Sequence, residues 1–310
     1  MQQTAFARPG RFWRGNLHTH STRSDGALPP EEVCRRYEAA GYDFLCLSDH
    51  LVGLYDYPIT DTRPFRTNRF TTILGAEVHT DRLANGELWH LLAVGLPEDF
   101  ERPRQPGVEP VVGAESAPDL ARRCAEAGAF VAIAHPEWYG LTAEDARGID
   151  AAHAVEIHNH IAAVGADRGS GIAVWDAMLN EGRWLSGCAS DDAHFHPEDP
   201  DHFGGWVMVK AEANEPDALV EALKAGAYYA TTGPELRDVR VEDDDLVVEC
   251  SPAEAVIAMG ARSAAVSAYG RAMTRARLPL TGGVLTGGWL RVGVRDAAGR
   301  RAWSNPMRLD

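Results

Sequence analysis

His18-Thr19-His20, with Asp25 just beyond, is a grouping that can bind a cation. Side chains at i and i+2 of a strand share one face, so the two imidazoles can converge while Asp25 reaches back from the following turn. Neutral imidazole is the commonest metal ligand. Later apolar runs deliver further donors. Asp49 and His50 end DFLCLSDH, Glu77 lies in ILGAEVHT, His90 in LWHLLAVGL, His135 ends FVAIAH, and CASDDAH carries Asp191, Asp192 and His194. An ionisable group inside an apolar strand is costly unless paired or metal-bound. Taken singly, each reads as a satisfied core histidine or a solvated carboxylate. Taken together, at successive strand ends, they read as ligands for two or three cations at one pole of the fold. Imidazole mixed with carboxylate, and no nearby cysteine, favours catalytic Zn, Mn or Fe over a structural zinc site.

The elements that must position these donors alternate short apolar runs with helical segments from Phe12 to about Gly233. FWRGNLHTH, DFLCLSDH, TTILGAEVHT, LWHLLAVGL, FVAIAHP, AVEIHNH, RWLSGCASDD and GWVMVKA read as strands. PPEEVCRRYEAAGY, APDLARRCAEAGA, a stretch around Gly171 to Glu181 and another from Pro216 to Lys224 read as helices. Such a chain builds a barrel or an open parallel sheet, and in both the active site collects at the carboxyl ends of the strands. Residues 53–68 and 97–118 read as solvated loops or as covers for the site. After Pro234 the pattern turns to half-buried alternation and Gly-rich turns, as expected of antiparallel β structure. The expected division is a barrel at 1–233 and a small β-rich domain at 234–310.

Composition narrows the partners. The chain has 310 residues, enough for one large domain and a small one at about 150 residues per domain. Its net charge of −15 opposes coating of duplex nucleic acid, which needs Lys and Arg to neutralise phosphates. No run approaches the ~18 apolar residues of a membrane span, and the start lacks the apolar stretch of a secretory signal, so no membrane partner and a cytoplasmic location are expected. Cys34, Cys46, Cys124, Cys188 and Cys250 are scattered without a CxxC pair and read as small core residues.

HTHSTRSDG, LSDH, GAEV, the His90 strand, AHP and SDDAH, in this order, resemble the PHP (polymerase and histidinol phosphatase) family of metal-dependent phosphoesterases. AYYATTGP and AWSNP resemble the branch in which a small β domain follows. The resemblance implies a distorted (β/α)7 TIM-like barrel with up to three metals. It implies that His18, His20, Glu77 and an aspartate of SDDAH hold a first metal. Glu77 would bridge to a second at His90 and His135, and Asp25, His50 and His194 would hold a third. The family's Asp-x-His pattern selects Asp192, while Asp191 sits where the preceding strand should end. Asp25 stands where some branches have histidine.

Other residues carry weaker readings. His79 shares the face of Glu77. Glu156 and His158, on one expected strand face and with Asn159 at its end, are candidates for lining the site and touching substrate or for orienting ligands. Asp49 is a candidate to orient an imidazole or take a proton, so Glu77 and Asp49 are the catalytic candidates. Thr231, Thr232 and Gly233 form a turn that could offer backbone donors to a phosphate, with an ordinary turn as the default reading.

Two adjacent cations lower the pKa of a shared water and clamp both oxygens of an in-line displacement. The expected function is therefore hydrolysis of a small anionic phosphate ester, a sugar phosphate or a nucleotide, by a metal-bridging hydroxide. The same centre could attack an amide, carbamate or carboxylic ester. A non-catalytic metal-binding module is the third reading.

Overall fold

The computed structural model describes residues 4–280 and 287–308. The Gly-rich turn expected at 281–286 lies outside the described residues. Elements follow the order β1 (Arg11–Asn16), α1 (Pro30–Ala39), β2 (Phe44–Leu47), β3 (Thr71–Arg82), β4 (Leu88–Val94), α2 (Ala117–Glu126), β5 (Phe130–Ile133), α3 (Ala143–Arg147), β6 (Ala154–Asn159), α4 (His160–Ala166), α5 (Ile172–Asn180), β7 (Ser186–Ser190), β8 (Trp206–Ala211), α6 (Pro216–Lys224) and β9 (Tyr228–Thr231). Six strands follow: β10 (Leu236–Glu242), β11 (Asp245–Gly260), β12 (Ala265–Pro279), β13 (Trp289–Arg295), β14 (Arg301–Ser304) and β15 (Met307–Arg308). This is a mixed α/β fold around one large sheet.

Local chemistry explains the helix limits. Pro30 opens α1 with Glu31 and Glu32 at its positive end, and Gly41 follows at φ +81°, a left-handed turn that glycine adopts without steric cost. Ser116 caps α2 by accepting from the Asp119 amide. The short helices α3 and α4 escape the sequence periodicity and are recognisable by caps alone. Thr142 and Asp145 form a capping box at α3, and the Asn159 side chain accepts from the Ala162 amide at α4.

Pairs β1/β2, β2/β3, β5/β6 and β6/β7 are parallel, each with a helix or long crossover between its members. Strict alternation breaks at β3 and β4, which pair antiparallel around an Asn85-Gly86 turn with Gly86 at φ +91°. Beyond the strands, the Asp192 amide donates to the His18 carbonyl at 2.9 Å and the His20 amide to the Ala193 carbonyl at 2.9 Å. The chain after β7 thereby lies against the chain after β1. The Ser48 amide donates to the Thr19 carbonyl and the Glu77 amide to the Ser48 carbonyl, both at 2.9 Å. These bonds fix the strand ends that carry the donors.

The strands after Pro234 are antiparallel, as expected, and enclose apolar side chains of their own, including Leu236, Val248, Val256 and Val292. They join the rest of the sheet where β14 pairs with β9. Asn305 fastens this junction. Its Oδ1 accepts from the Gly187 amide at 2.8 Å, and its Nδ2 donates to the Gly226 and Tyr228 carbonyls at 3.2 and 3.1 Å. Buried Arg291 adds a bidentate pair to Asp176 and lies over the Trp175 ring. All five cysteines are buried and free. Thr231 turns its hydroxyl to the Pro234 carbonyl and accepts from Gly233, an ordinary turn.

Candidate metal centre

The strand ends place His18 and His20 after β1, His50 after β2, Glu77 on β3, His90 on β4, His135 after β5, and Asp192 and His194 after β7. Their donor atoms form groups. His18, His20, Glu77 and Asp192 meet in one, Glu77, His90 and His135 in a second, His20, Asp25, His50 and His194 in a third, and His50, Glu77 and His79 in a fourth, each with one atom per residue within 4.8 Å of the others. Glu77 is the centre. Its Oε1 lies 2.8 Å from His90 Nδ1 and 3.0 Å from His135 Nε2, and its Oε2 lies 2.7 Å from His50 Nδ1 and 3.5 Å from His20 Nε2. Asp192 Oδ1 stands 2.9 Å from His20 Nε2 and 3.1 Å from His18 Nε2. Asp25 reaches His50 Nε2 at 3.2 Å and His194 Nε2 at 3.5 Å.

Glu77 Oε1 hydrogen-bonds His90 Nδ1 and His135 Nε2, and Asp192 Oδ1 hydrogen-bonds His20 Nε2, but other atoms of the cluster are left without a partner. His18 Nε2, Glu77 Oε2, His90 Nε2 and Asp25 Oδ1 are buried and have no hydrogen-bond partner. The 2.7 Å approach of His50 Nδ1 to Glu77 Oε2 is thus a close contact outside hydrogen-bond geometry. Buried polar atoms are ordinarily satisfied, so donors converging on shared space fit a cation. Oxygen and imidazole donors in mixture suit a divalent cation.

The carboxylates and imidazoles of the cluster act strongly on one another's charge. Burial disfavours charge on Glu77 and Asp192, yet surrounding imidazoles hold both carboxyls well below the usual range. Burial likewise opposes protonation of His50 and His194, but Glu77 and Asp25 hold the first up to about 10, and Asp25 and Asp192 hold the second up to about 9. Burial and the neighbouring His50 and His194 push His20 down to about 4. Two of the donors sit on left-handed backbone, His135 at φ +27° and Asp192 at φ +57°, a conformation uncommon for residues other than glycine.

Several sequence expectations meet a different geometry. Asp191 is turned away from the donors. One oxygen accepts from Tyr37 Oη at 2.7 Å and the Phe203 amide, the other from the Gly204 and Gly205 amides, because adjacent residues cannot both face the same side here. Asp49 has no imidazole among its partners. Its buried carboxylate accepts from the Ser21 amide at 2.7 Å and from the Ser21, Ser24 and Thr60 hydroxyls, so it ties down the loop that carries Asp25. His158 does not share the face of Glu156, because a bulge in β6 shifts the register between them. It lines a separate cleft of about 790 Å³ with Trp206, Trp303 and His160. Asn159 points inward, donating to Glu156 Oε2 and Asp192 Oδ2 at 3.0 and 3.1 Å. Its amide is occupied rather than free for a substrate.

His79 joins the cluster, its Nε2 lying 2.8 Å from His50 Nδ1. Two aromatic rings were not evident as site residues from sequence. Tyr139 stands edge-on to His90 and His135 at centroid distances of 5.1 and 5.0 Å, and Tyr55 stacks toward His50 at 6.4 Å. Each follows its histidine within five residues, a spacing too common to be a signal. Tyr55 comes from the loop at 53–68, which docks on the loop at 97–118 where the Gly53 amide donates to the Gln105 carbonyl at 2.8 Å.

Comparison with known proteins agrees with the family resemblance. Residues 16–117 match the model of the PHP domain. No curated protein matches the chain in sequence. Among solved structures, a two-domain protein from Bacteroides vulgatus described as containing a predicted PHP-like metal-dependent phosphoesterase superimposes with a TM-score of 0.51 at 15% identity, covering 93% of each chain. It shares the fold. A Bifidobacterium adolescentis protein provisionally assigned as a metal-dependent phosphoesterase gives 0.46 at 12% identity, over 60% of this chain and 89% of that one. An amidohydrolase from Chromobacterium violaceum, with sulfate and no metal, gives 0.46 at 17% identity, over 61% and 90%.

Proposed function

We propose that the protein is a metal-dependent hydrolase that cleaves a phosphate ester of a small anionic substrate, a sugar phosphate or a nucleotide. The observation that carries this reading is the convergence of four donor groups on shared residues, with buried ligand-type atoms such as His18 Nε2 and Glu77 Oε2 lacking hydrogen-bond partners. We read strands β1–β7 as a distorted (β/α)7 barrel, supported by the backbone bonds between the chain after β7 and the chain after β1. Residues 234–310 are read as an appended β domain.

In this reading His18, His20, Glu77 and Asp192 hold one position, Glu77, His90 and His135 a second, and Asp25, His50, His194 and His20 a third. Divalent Zn, Mn or Fe there supplies Lewis acidity and a water of lowered pKa. The protein's own residues supply the frame. Glu77 directs its two oxygens to different imidazole sets, which suits a bridging carboxylate. Asp49 fixes the loop of Asp25, and the rings of Tyr55 and Tyr139 flank the donors as walls against which a substrate would lie.

The test is a substrate screen on protein reconstituted with Zn, Mn or Fe. Release of nitrophenol from nitrophenyl phosphate or bis(nitrophenyl) phosphate is expected, and its loss in Glu77→Gln and His18→Ala. Metal-loaded protein that ignores both and cleaves nitrophenyl acetate or a carbamate would replace the phosphoesterase reading with a carboxyl or amide hydrolase.

A further inference from the structure

We propose that Glu156 is a positioning residue that aims donors at two neighbouring metal positions at once. This rests on the metal-dependent reading above and deepens it. Glu156 is fully buried on β6 and belongs to none of the donor groups. Its Oε1 accepts from His18 Nδ1 at 3.0 Å and from the Ser190 hydroxyl. Its Oε2 accepts from the His135 amide at 2.6 Å and from Asn159 Nδ2 at 3.0 Å. A carboxylate offers about four lone-pair directions, and all are taken by the protein. Glu156 therefore has no direction left for a cation, and it acts through the groups that donate to it.

Each bond has a consequence at the centre. An imidazole that donates Nδ1–H to a carboxylate presents a bare Nε2. On His18 that nitrogen stands 3.1 Å from Asp192 Oδ1 and 3.5 Å from Glu77 Oε1, without a hydrogen bond. The amide bond to His135 braces a residue held at φ +27° and so fixes the ring whose Nε2 lies 3.0 Å from Glu77 Oε1. The second hydrogen of Asn159 Nδ2 goes to Asp192 Oδ2 at 3.1 Å, which leaves Asp192 Oδ1 for His20. One buried carboxylate thus links donors arriving from β1, β5 and β7. The donors it links belong to the groups of His18 and of His135, which share Glu77.

Glu156→Gln tests this. The amide keeps the size but has one acceptor oxygen and one NH₂, so either His18 or the His135–Asn159 pair faces a donor against a donor. Co²⁺ titration followed by visible absorption is expected to show about two to three equivalents in the wild type. The variant is expected to bind about 10–100-fold more weakly, with an altered spectrum. A variant that melts lower but binds the same equivalents with the same affinity and spectrum overturns the proposal, since a purely structural role predicts that result. ¹⁵N-histidine NMR of Zn-loaded wild type needs no variant. Metal on His18 Nε2 with Nδ1 protonated is expected, and metal on Nδ1 overturns the proposal. Wild type that takes up no Co²⁺ removes the metal reading and this role with it. Metal binding that depends on Glu156 in a protein that hydrolyses no ester leaves the positioning role standing and removes only the proposed reaction.

Discussion

Asp191 and Asp192 are neighbours in sequence whose carboxylates go to opposite sides of the strand end. Asp192 approaches His20 and His18, while Asp191 gathers the Tyr37 hydroxyl and three consecutive amides of residues 203–205. Substitutions there separate chemistry from folding. Asp192→Asn is expected to abolish metal-dependent hydrolysis in a protein that still folds, although the new amide loses one acceptor for His20 or Asn159. Asp191→Ala is expected to cost about 3 kcal/mol, because it strands several buried donors. Urea denaturation and metal analysis on both variants check the division.

Glu77 faces imidazoles on both of its oxygens, so no other residue can replace it at one position without disturbing the next. Glu77→Gln is expected to lower metal-dependent activity by more than about 100-fold, beyond the usual effect of changing a ligand's outer partner. Chelation should do the same to the wild type. Metal return should restore activity and raise the melting temperature, since a ligand that binds only the folded state stabilises it by about 4 kcal/mol at 1,000 times its Kd. Calorimetry with and without chelator is the measurement.

Asn305 bonds three backbone groups across the junction between β7, β9 and the C-terminal strands. Asn305→Ala leaves the buried Gly187 amide unpaired and is expected to destabilise the fold by about 2 kcal/mol. Activity per folded molecule should not change, because none of these bonds touches the donor cluster. Comparing Tm with kcat tests both parts.

His158 gives a pH dependence. Burial, with His160 beside it, pushes its pKa from the ordinary value down to about 4. The native state then binds fewer protons than the unfolded chain between about pH 6.5 and 4, so stability falls as pH falls through that window. His158→Gln removes this contribution. The wild-type melting temperature should drop relative to that of the variant on going from pH 7 to pH 4.5, with other histidines cancelling in the difference. A constant offset across that range would contradict the assignment.

The sequence by itself marked the candidate donors and the strands that bear them. An imidazole or carboxylate in an apolar run is expensive alone, so His18, His20, Glu77, His90, His135 and the Asp191–Asp192 pair stood out as candidates through cost and order along the chain. The helices α1, α2, α5 and α6 were equally legible, since their periodicity and end residues are local properties. Direction was not. Whether Asp191 or Asp192 faces inward depends on a left-handed φ at Asp192 that fits the long-range bond from its amide to His18. His158 left the face of Glu156 through a bulge in β6, set by pairing with β7. Asp49 and Asn159 look like free polar groups in sequence and are engaged by residues 11 and 33 positions away. Residue type and spacing fix which atoms can do chemistry; only tertiary contacts decide where each one points, because the partner that satisfies a buried polar atom lies far along the chain.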